Sequence, residues 1–343
     1  MDVAKFLEEV CALPGQSGFE TPVASRIAQE FAKYSDRVQI DALGNVRAEM
    51  GSVGPTVLVC AHMDEVGMIV TGIEDNGFVR FWQIGGIDPR ILPGSEVTVH
   101  GREDLFGVIG VKPPHLTEGA HKAARLDELA IDLGYPKEKV ESLVRIGDPV
   151  SFRVPFTRLM NKRISFKTFD DRACVACMLV AMEELQNVSL GCRVVFTATV
   201  QEEVGSRGAL TAANDVNPDM AVAFDVCHAD MPGADPWDTM SIDKVSVGQG
   251  PTLHPAMQRR LMDAASALNV DVQTDISSRR TYTDADSVFT ANCGVPTALI
   301  SLPLAYMHTM VETISERSAQ EAGRLLAGFL KGIDEKWGEW LCF

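Results

Sequence analysis

The sequence is short of positive charge. Its 31 lysines and arginines are outnumbered by 47 aspartates and glutamates, which leaves a formal net charge of −16 over 343 residues. Nucleic acids and anionic membranes bind basic surfaces, so this deficit argues against both as partners. The chain also lacks any run of about 18 apolar residues and opens without a basic leader, so we expect neither a membrane span nor a signal peptide. These absences are typical of a cytoplasmic enzyme.

Two well-known hydrolase motifs are missing as well. The sequence contains no H-E-x-x-H and no G-x-S-x-G, which disfavours helix-borne zinc proteases and serine hydrolases.

Eight cysteines are scattered along the chain, and the C-x-x-C pair Cys174 and Cys177 has no second pair to complete a zinc site. Both cysteines face the apolar side of a predicted helix, so we interpret them as core residues.

The chain is long enough for two domains, and its hydrophobic patterns divide it. Over 69–158, short alternating runs are broken by glycine, which is typical of a small β-barrel or sandwich. On both sides of that segment, apolar runs predict strands over 56–60, 193–200, 220–224 and 297–301, and helices over 172–185, 256–268 and 316–330. We therefore predict an α/β domain formed by 1–68 and 159–343, with a β-rich insertion over 69–158.

Polar residues collect where the predicted strands end. Each of them alone has an ordinary explanation as a helix cap, a solvated loop, a turn or a surface residue. Together they would meet at the carboxyl edge of a parallel sheet, where open α/β sheets place their ligand crevices. They are His62 and Asp64 after the strand over 56–60, Asp170 before the helix over 172–185, Glu202 and Glu203 after 193–200, Asp225 after 220–224, and His308 past 297–301.

The two histidines and three of the carboxylates suit a pair of divalent ions that share a bridging carboxylate. Asp170, Glu203 and Asp225 supply −3 against the +4 of two such ions, and the remaining +1 would stabilise a bound hydroxide. A further acid outside the metal shell is needed to carry a proton from water to the leaving amine. Glu202 stands beside a predicted ligand and is our candidate for that general base.

A set of longer motifs surrounds these residues. With them the chain resembles, nearly from end to end, the tetrahedral metallo-aminopeptidases, a family that includes glutamyl, leucyl and deblocking aminopeptidases. The motifs are Pro14-Gly-Gln-Ser-Gly-Phe-Glu20, Asp41-Ala-Leu-Gly-Asn45, Ala61-His-Met-Asp-Glu-Val-Gly67, Gly107-Val-Ile-Gly-Val-Lys-Pro-Pro-His115, Phe169-Asp-Asp-Arg172, Gln201-Glu-Glu-Val-Gly-Ser-Arg-Gly-Ala209, Asp225-Val-Cys-His-Ala229, Thr283-Asp-Ala285 and Tyr306-Met-His308.

The resemblance implies a mixed-sheet, three-layer phosphorylase/hydrolase-like peptidase domain, with the insertion over 69–158 as a small β-barrel that serves dimerisation. It implies an enzyme that removes N-terminal residues from peptides with a free N-terminus, through a hydroxide bound to two metal ions. Zinc fits the mixed nitrogen and oxygen ligands, and cobalt or manganese would fit too. Family members commonly assemble dimers into hollow dodecamers, so we expect a homo-oligomer.

The resemblance also implies roles for individual residues. Glu202 corresponds to the general base, and Asp64 to the carboxylate that orients a histidine ligand. The peptide bond between Asp170 and Asp171 is expected to be cis. Glu65 receives no role. The implied metal ligands are His62 and Asp225 on one ion, Glu203 and His308 on the other, and Asp170 as the bridge.

The chain departs from the family pattern without losing a predicted ligand or the candidate base, and the changes at Ala305 and Met310 lie near the expected substrate pocket, where they concern specificity. Ala305 and Met310 flank the last predicted ligand where the family often has arginine and proline, and Cys174 replaces a usual glycine.

Arg279 and Arg280 could favour acidic substrate side chains or form a solvated basic turn.

Two other functions stay open at this point. One is a related co-catalytic deacylase or carboxypeptidase. The other is a metal-stabilised assembly protein without turnover, although the presence of Glu202 argues against it.

Overall fold

The computed structural model describes residues 1–113 and 124–341. Its centre is the predicted α/β domain, built on an eight-stranded mixed sheet. The middle strands are apolar on both faces, because helices cover both sides of the sheet. In spatial order the strands are β1 (Val38–Ile40), β2 (Val46–Met50), β12 (Arg193–Thr199), β3 (Thr56–His62), β13 (Met220–His228), β16 (Thr297–Leu304), β14 (Val245–Gln249) and β15 (Val272–Ile276).

Helices form a layer on each face of this sheet, as the three-layer prediction requires. One face is covered by α1 (Val3–Cys11), α2 (Thr21–Phe31), α4 (Phe169–Glu184), α6 (Pro255–Leu268) and α8 (Glu316–Lys331). The opposite face is covered by α5 (Arg207–Val216) and α7 (Asp284–Phe289), while α9 (Trp337–Leu341) packs near α6. Among the described residues, no helix combines the length and apolar character that crossing a membrane requires.

The central helix α4 is the most deeply buried of these elements. It lies between β3 and β13 on one side and α1 and α8 on the other, so nearly all of its circumference is apolar. Cys174 and Cys177 are fully buried in this core and are free thiols, in agreement with their interpretation as core residues.

The β-rich insertion forms a closed antiparallel barrel with its own apolar core. Its first strand begins at Gly67 and its last ends at Phe152; the boundaries 69 and 158 themselves stay a prediction. The barrel strands are β4 (Gly67–Ile73), β5 (Val79–Ile84), β6 (Glu96–His100), β7 (Asp104–Gly110), β8 (Ala130–Asp132) and β9 (Pro149–Phe152), and α3 (Lys137–Leu143) lies between β8 and β9 in the chain.

A small antiparallel sheet lies beside the junction of barrel and α/β domain. It consists of β10 (Thr157–Arg158), β11 (Arg163–Phe166) and β17 (Glu312–Ser315). Phe166 pairs with Glu312, which brings the chain just before α4 against the segment that follows β16.

Several predicted elements need correction. The strand expected over 56–60 continues to His62, the one over 297–301 to Leu304, and the helix expected from 172 begins at Phe169, so it includes Asp170. The strand expected over 220–224 continues to His228, because it keeps pairing with β16 after its pairing with β3 has ended. Asp225 therefore lies within a strand rather than after one. Of the family motifs, Pro114 and His115 lie outside the described residues.

Candidate metal centre

The register of the central strands places two of the predicted ligands side by side. β3 pairs with β12 so that His62 lies opposite Thr199, and its pairing with β13 runs from Val57 with Met220 onward. Continuing that register puts Asp225 level with His62. Adjacent residues in parallel register point to the same face, so both side chains leave the same side of the sheet. Both are buried, His62 almost completely.

Two groups of possible ligands form around one shared carboxylate. His62, Asp170 and Asp225 offer ligand atoms within 4.8 Å of one another, and so do Asp170, Glu203 and His308. The two oxygens of Asp170 divide between the groups. Its Oδ1 lies 3.1 Å from Nε2 of His62, and its Oδ2 lies 3.1 Å from Nε2 of His308. This is the arrangement that a carboxylate bridging two ions needs.

Both histidines present the same ring nitrogen to this cluster. Nδ1 of His62 lies 3.2 Å from the carbonyl oxygen of Asp64, and Nδ1 of His308 lies 2.8 Å from the carbonyl oxygen of Gly86. A proton on Nδ1 donated to those carbonyls leaves each Nε2 with its lone pair facing the carboxylates. Gly86 follows β5, so the insertion also contributes a contact to the centre.

The backbone around Asp170 departs from helical geometry. The peptide bond between Asp170 and Asp171 is cis, as the resemblance implied. Both residues have non-helical dihedral angles at the start of α4. The Asp171 carboxylate accepts a hydrogen bond from the backbone N–H of His62 at 3.3 Å, which ties this turn to the end of β3.

Glu312 is a residue that sequence reasoning missed. It is buried, and its carboxylate accepts the backbone N–H of Asp170 at 3.1 Å and that of His308 at 2.9 Å. One side chain therefore fixes the main chain at two predicted ligands that are far apart in sequence. The only hint in the sequence is an acid within the apolar and β-branched run Val311-Glu-Thr-Ile314.

Asp64 contacts more than the histidine it was predicted to orient. Its Oδ1 lies 3.4 Å from Nδ1 of His62, whereas the backbone carbonyl oxygen of Asp64 lies 3.2 Å from the same nitrogen. The carboxylate accepts hydrogen bonds from the backbone N–H groups of Glu202 at 3.0 Å and Glu203 at 3.2 Å, and from the Ser17 hydroxyl at 2.6 Å. It thus holds the loop that carries the candidate base.

Glu65, which received no role from the sequence, is the centre of a buried ion-pair network. Its carboxylate lies 2.6 Å from Nζ of Lys167 and 3.5 Å from Arg172, and accepts the Thr168 hydroxyl at 2.6 Å and the Gly15 N–H at 3.0 Å. Burial alone would raise the pKa of Glu65, but the two cations hold it below its usual value. An uncompensated charge here would cost about 3–5 kcal/mol, so the network locks the segment before α4 against β3.

The candidate general base faces the same centre. Glu202 follows β12, and its Oε1 accepts a hydrogen bond from the Ser206 hydroxyl at 3.0 Å. Burial raises the pKa of Glu202 to about 8, with the neighbouring acids Asp284 and Glu203 adding to the shift and His62 opposing it. The described residues offer no hydrogen bond to Oε2, so that oxygen is free to act on a substrate or water.

The cluster carries more negative charge than its two histidines can balance. Burial raises the pKa of Asp225 and of Glu203, while the facing histidines hold that of Asp170 below its ordinary value. The carboxylates raise the pKa of His308 to about 12 against the effect of burial.

One buried ligand atom also lacks a hydrogen bond. Oε1 of Glu203 lies 3.2 Å from Nε2 of His308, but the angles of this contact are not those of a hydrogen bond. Buried acids of this kind are stable when they coordinate cations. The residues therefore fit a pair of divalent ions, and their nitrogen and oxygen donors suit zinc, cobalt or manganese.

The centre opens into a cavity of ≈1040 Å³. Its lining includes the five predicted ligands and the candidate base. It also includes the segments 236–240 and 274–283, the second of which begins on the edge strand β15. A cavity of this size accommodates an extended peptide end.

Comparison with known proteins agrees with this architecture. A family model described as M42 glutamyl aminopeptidase matches residues 44–325. A lysyl aminopeptidase from Pyrococcus furiosus is 31% identical over 337 residues, covering 96% of this chain and 97% of that protein.

Three solved structures show the same fold. An aminopeptidase from Desulfurococcus kamchatkensis superimposes with a TM-score of 0.91 at 34% identity, covering 99% of this chain and 96% of that one. The TET1 peptidase of Pyrococcus horikoshii, which can assemble into a tetrahedron or a large octahedral shell, superimposes with a TM-score of 0.87 at 31% identity, covering 97% and 100%. A structure of PhTET1 with a TM-score of 0.87 at 30% identity, covering 97% of this chain and 100% of that one, contains a dodecamer. The chain belongs to the M42 glutamyl aminopeptidase family and is an aminopeptidase of the metallopeptidase class.

Proposed function

We propose that this aminopeptidase removes single residues from peptides with a free N-terminus, with Glu202 as its general base. The observation that carries the proposal is the shared carboxylate of Asp170, whose two oxygens each face a different histidine. His62 and Asp225 would hold one divalent ion, Glu203 and His308 the other, and Asp170 both. Bound there, the ions would polarise the scissile carbonyl and lower the pKa of a water.

The protein's own residues would carry the proton. Oε2 of Glu202 accepts a proton from the attacking water and later donates it to the nitrogen of the leaving amine, so the base is regenerated in each cycle. The Ser206 hydroxyl holds the other oxygen in place. Asp64 keeps the backbone of Glu202 and Glu203 fixed during this exchange.

The demand for a free N-terminus can be tested with matched peptides. We expect a leucyl tripeptide to be cleaved after its first residue. The same peptide with an acetylated N-terminus should be cleaved at least about a hundredfold more slowly, because its uncharged amide nitrogen cannot form an ion pair with the acidic side chains that line the cavity. Mass spectrometry of the products measures both rates and locates the cut. Preferred cleavage of the acetylated peptide would indicate a deacylase, and release of the last residue would indicate a carboxypeptidase. Absence of turnover on both peptides would indicate an assembly protein.

We also propose that the chain forms dodecamers through contacts made by its barrel. The dodecamer of PhTET1 and the tetrahedral assembly of the Pyrococcus horikoshii TET1 peptidase support the oligomeric state. So do large apolar side chains exposed on the barrel strands, among them Trp82, Phe106 and Val108. Light scattering after size exclusion is expected to give about twelve times the mass of one chain, by analogy with closed symmetric assemblies. A monomer at micromolar concentration would contradict this.

The cytoplasmic location stays a prediction.

A further inference from the structure

The far end of the cavity carries a charged group that the proposed mechanism does not use. Asp275 lies on the edge strand β15 and lines the cavity together with Leu299 and Ser301 of β16. It is half-buried. Its position suggests a role in selecting the substrate rather than in the reaction itself.

Strand pairing shows that Asp275 shares a face of the sheet with the metal centre. Asp225 pairs with Ser301, Ser301 with Ser246, and Ser246 with Gln273, which makes one continuous rung across four strands. Residues opposite one another in a rung point to the same face. Gln273 Nε2 donates to the Ser246 hydroxyl at 3.2 Å, which agrees with that common face. Asp275 is two residues beyond Gln273 and therefore points to the same side.

The separation suits a long substrate side chain. Three strand spacings of about 4.8 Å across the sheet, combined with an offset of two residues along the strand, place Asp275 about 16 Å from Asp225. The side chains of Leu253 and Leu299 pack against Gly248, which pairs with Asp275, so the floor beside Asp275 is apolar. A residue with a long, flexible stem and a charged tip can cross this floor from the metal centre, whereas a short side chain cannot.

The Asp275 carboxylate also has no compensating partner. No hydrogen bond or ion pair reaches it from the described residues, and burial raises its pKa above the ordinary value, although the nearby His228 acts in the opposite direction. A half-buried carboxylate in this condition is stabilised by a cation that arrives with a ligand.

The other charges of the cavity are at its exposed rim. Arg279 and Arg280 are exposed, and the Arg280 guanidinium is stacked on the Tyr282 ring at 4.4 Å from its centroid. Asp238 is exposed as well. Exposed charges attract a ligand weakly because water screens them, so the half-buried carboxylate decides the sign of the preference.

We propose that Asp275 is a specificity residue which selects peptides beginning with lysine or arginine, by pairing with the cationic tip of that first side chain. This inference rests on the proposed aminopeptidase function and names its substrate class. Arg279 and Arg280 would accordingly not select acidic residues.

A panel of fluorogenic lysyl, arginyl, leucyl and glutamyl amides tests the inference on the full-length, metal-loaded protein. Wild-type kcat/KM is expected to be at least about tenfold higher for the lysyl and arginyl than for the glutamyl substrate. Asp275→Asn has nearly the same shape, and it should lower kcat/KM for lysyl and arginyl by about ten- to a hundredfold while leaving leucyl turnover nearly unchanged. Asp275→Lys should favour the glutamyl substrate.

Asp271→Asn is the matched control, because Asp271 precedes the same strand but pairs with Lys244 at the surface. It should keep the wild-type preference. A wild-type preference for glutamyl, or an equal loss on lysyl and leucyl substrates in Asp275→Asn, would overturn the inference while the leucyl activity still supports the proposed function. Failure of the wild-type protein to cleave any of the four substrates would overturn both.

Discussion

Replacement of Glu202 by glutamine is expected to lower kcat by about 10²–10⁴-fold while leaving the bound metal at the wild-type level. Glutamine has the same shape but cannot take a proton from water at neutral pH. Glu202 is outside both groups of candidate ligands, so the ions should bind as before. Steady-state kinetics on a leucyl amide, combined with metal analysis of the same dialysed sample, gives both quantities.

The matched control for that variant is Glu30→Gln. Glu30 on α2 is also buried and does not line the cavity, and it forms ion pairs with Arg26 on the same helix and with Lys33 just after it. It should lose stability but keep kcat. If Glu202→Gln retained more than about a tenth of wild-type kcat, the assignment of Glu202 as general base would be wrong, since general-base catalysis is worth at least about a hundredfold.

Replacement of Glu312 by glutamine is expected to weaken metal binding by about 10- to 100-fold. The carboxylate of Glu312 accepts two backbone N–H groups, those of Asp170 and His308. A glutamine side chain offers one acceptor oxygen, while its NH₂ group would face the second N–H. One predicted ligand would therefore lose its fixed position. Calorimetric titration of the metal-free protein with zinc measures the affinity without any reference to activity.

Two further measurements separate positioning from a general loss of structure. Glu30→Gln again serves as the control, because it removes buried ion pairs without contact to the centre and should keep the zinc affinity of the wild type. In Glu312→Gln, kcat measured at saturating zinc should be close to that of the wild type, although the zinc affinity is lower. Unchanged zinc affinity in this variant would show that Glu312 only supports the local fold.

Much of the architecture could be predicted because each local pattern agrees with the fold. The runs that form β3, β12 and β16 are apolar along their length, and α8 has a clear amphipathic period, so their positions followed from hydrophobic spacing. Glycine-broken alternation predicted a small barrel or sandwich, and the family resemblance implied the barrel. The end of β13 was wrong, because an acid within an apolar run reads as the end of a strand.

The contacts around the centre were harder to predict. Glu65 appeared as one of three polar residues in a motif, and nothing local indicated that Lys167 and Arg172 would surround it. Glu312 follows Asp170 by 142 residues. A buried carboxylate can satisfy any backbone N–H that the fold brings near, so its partners depend on the packing of distant segments.

By itself, the sequence determined which chemistry was available: histidines and acids at the ends of apolar strands, a spare acid beside a ligand, and a negative overall charge. These follow from residue type and local period. Only the tertiary structure decided which oxygen of Asp170 faces which histidine, that the barrel supplies Gly86 to hold the ring of His308, and that Asp275 faces the cavity without a partner. Strand register and long-range packing set those distances, and neither is encoded in any single segment of the chain.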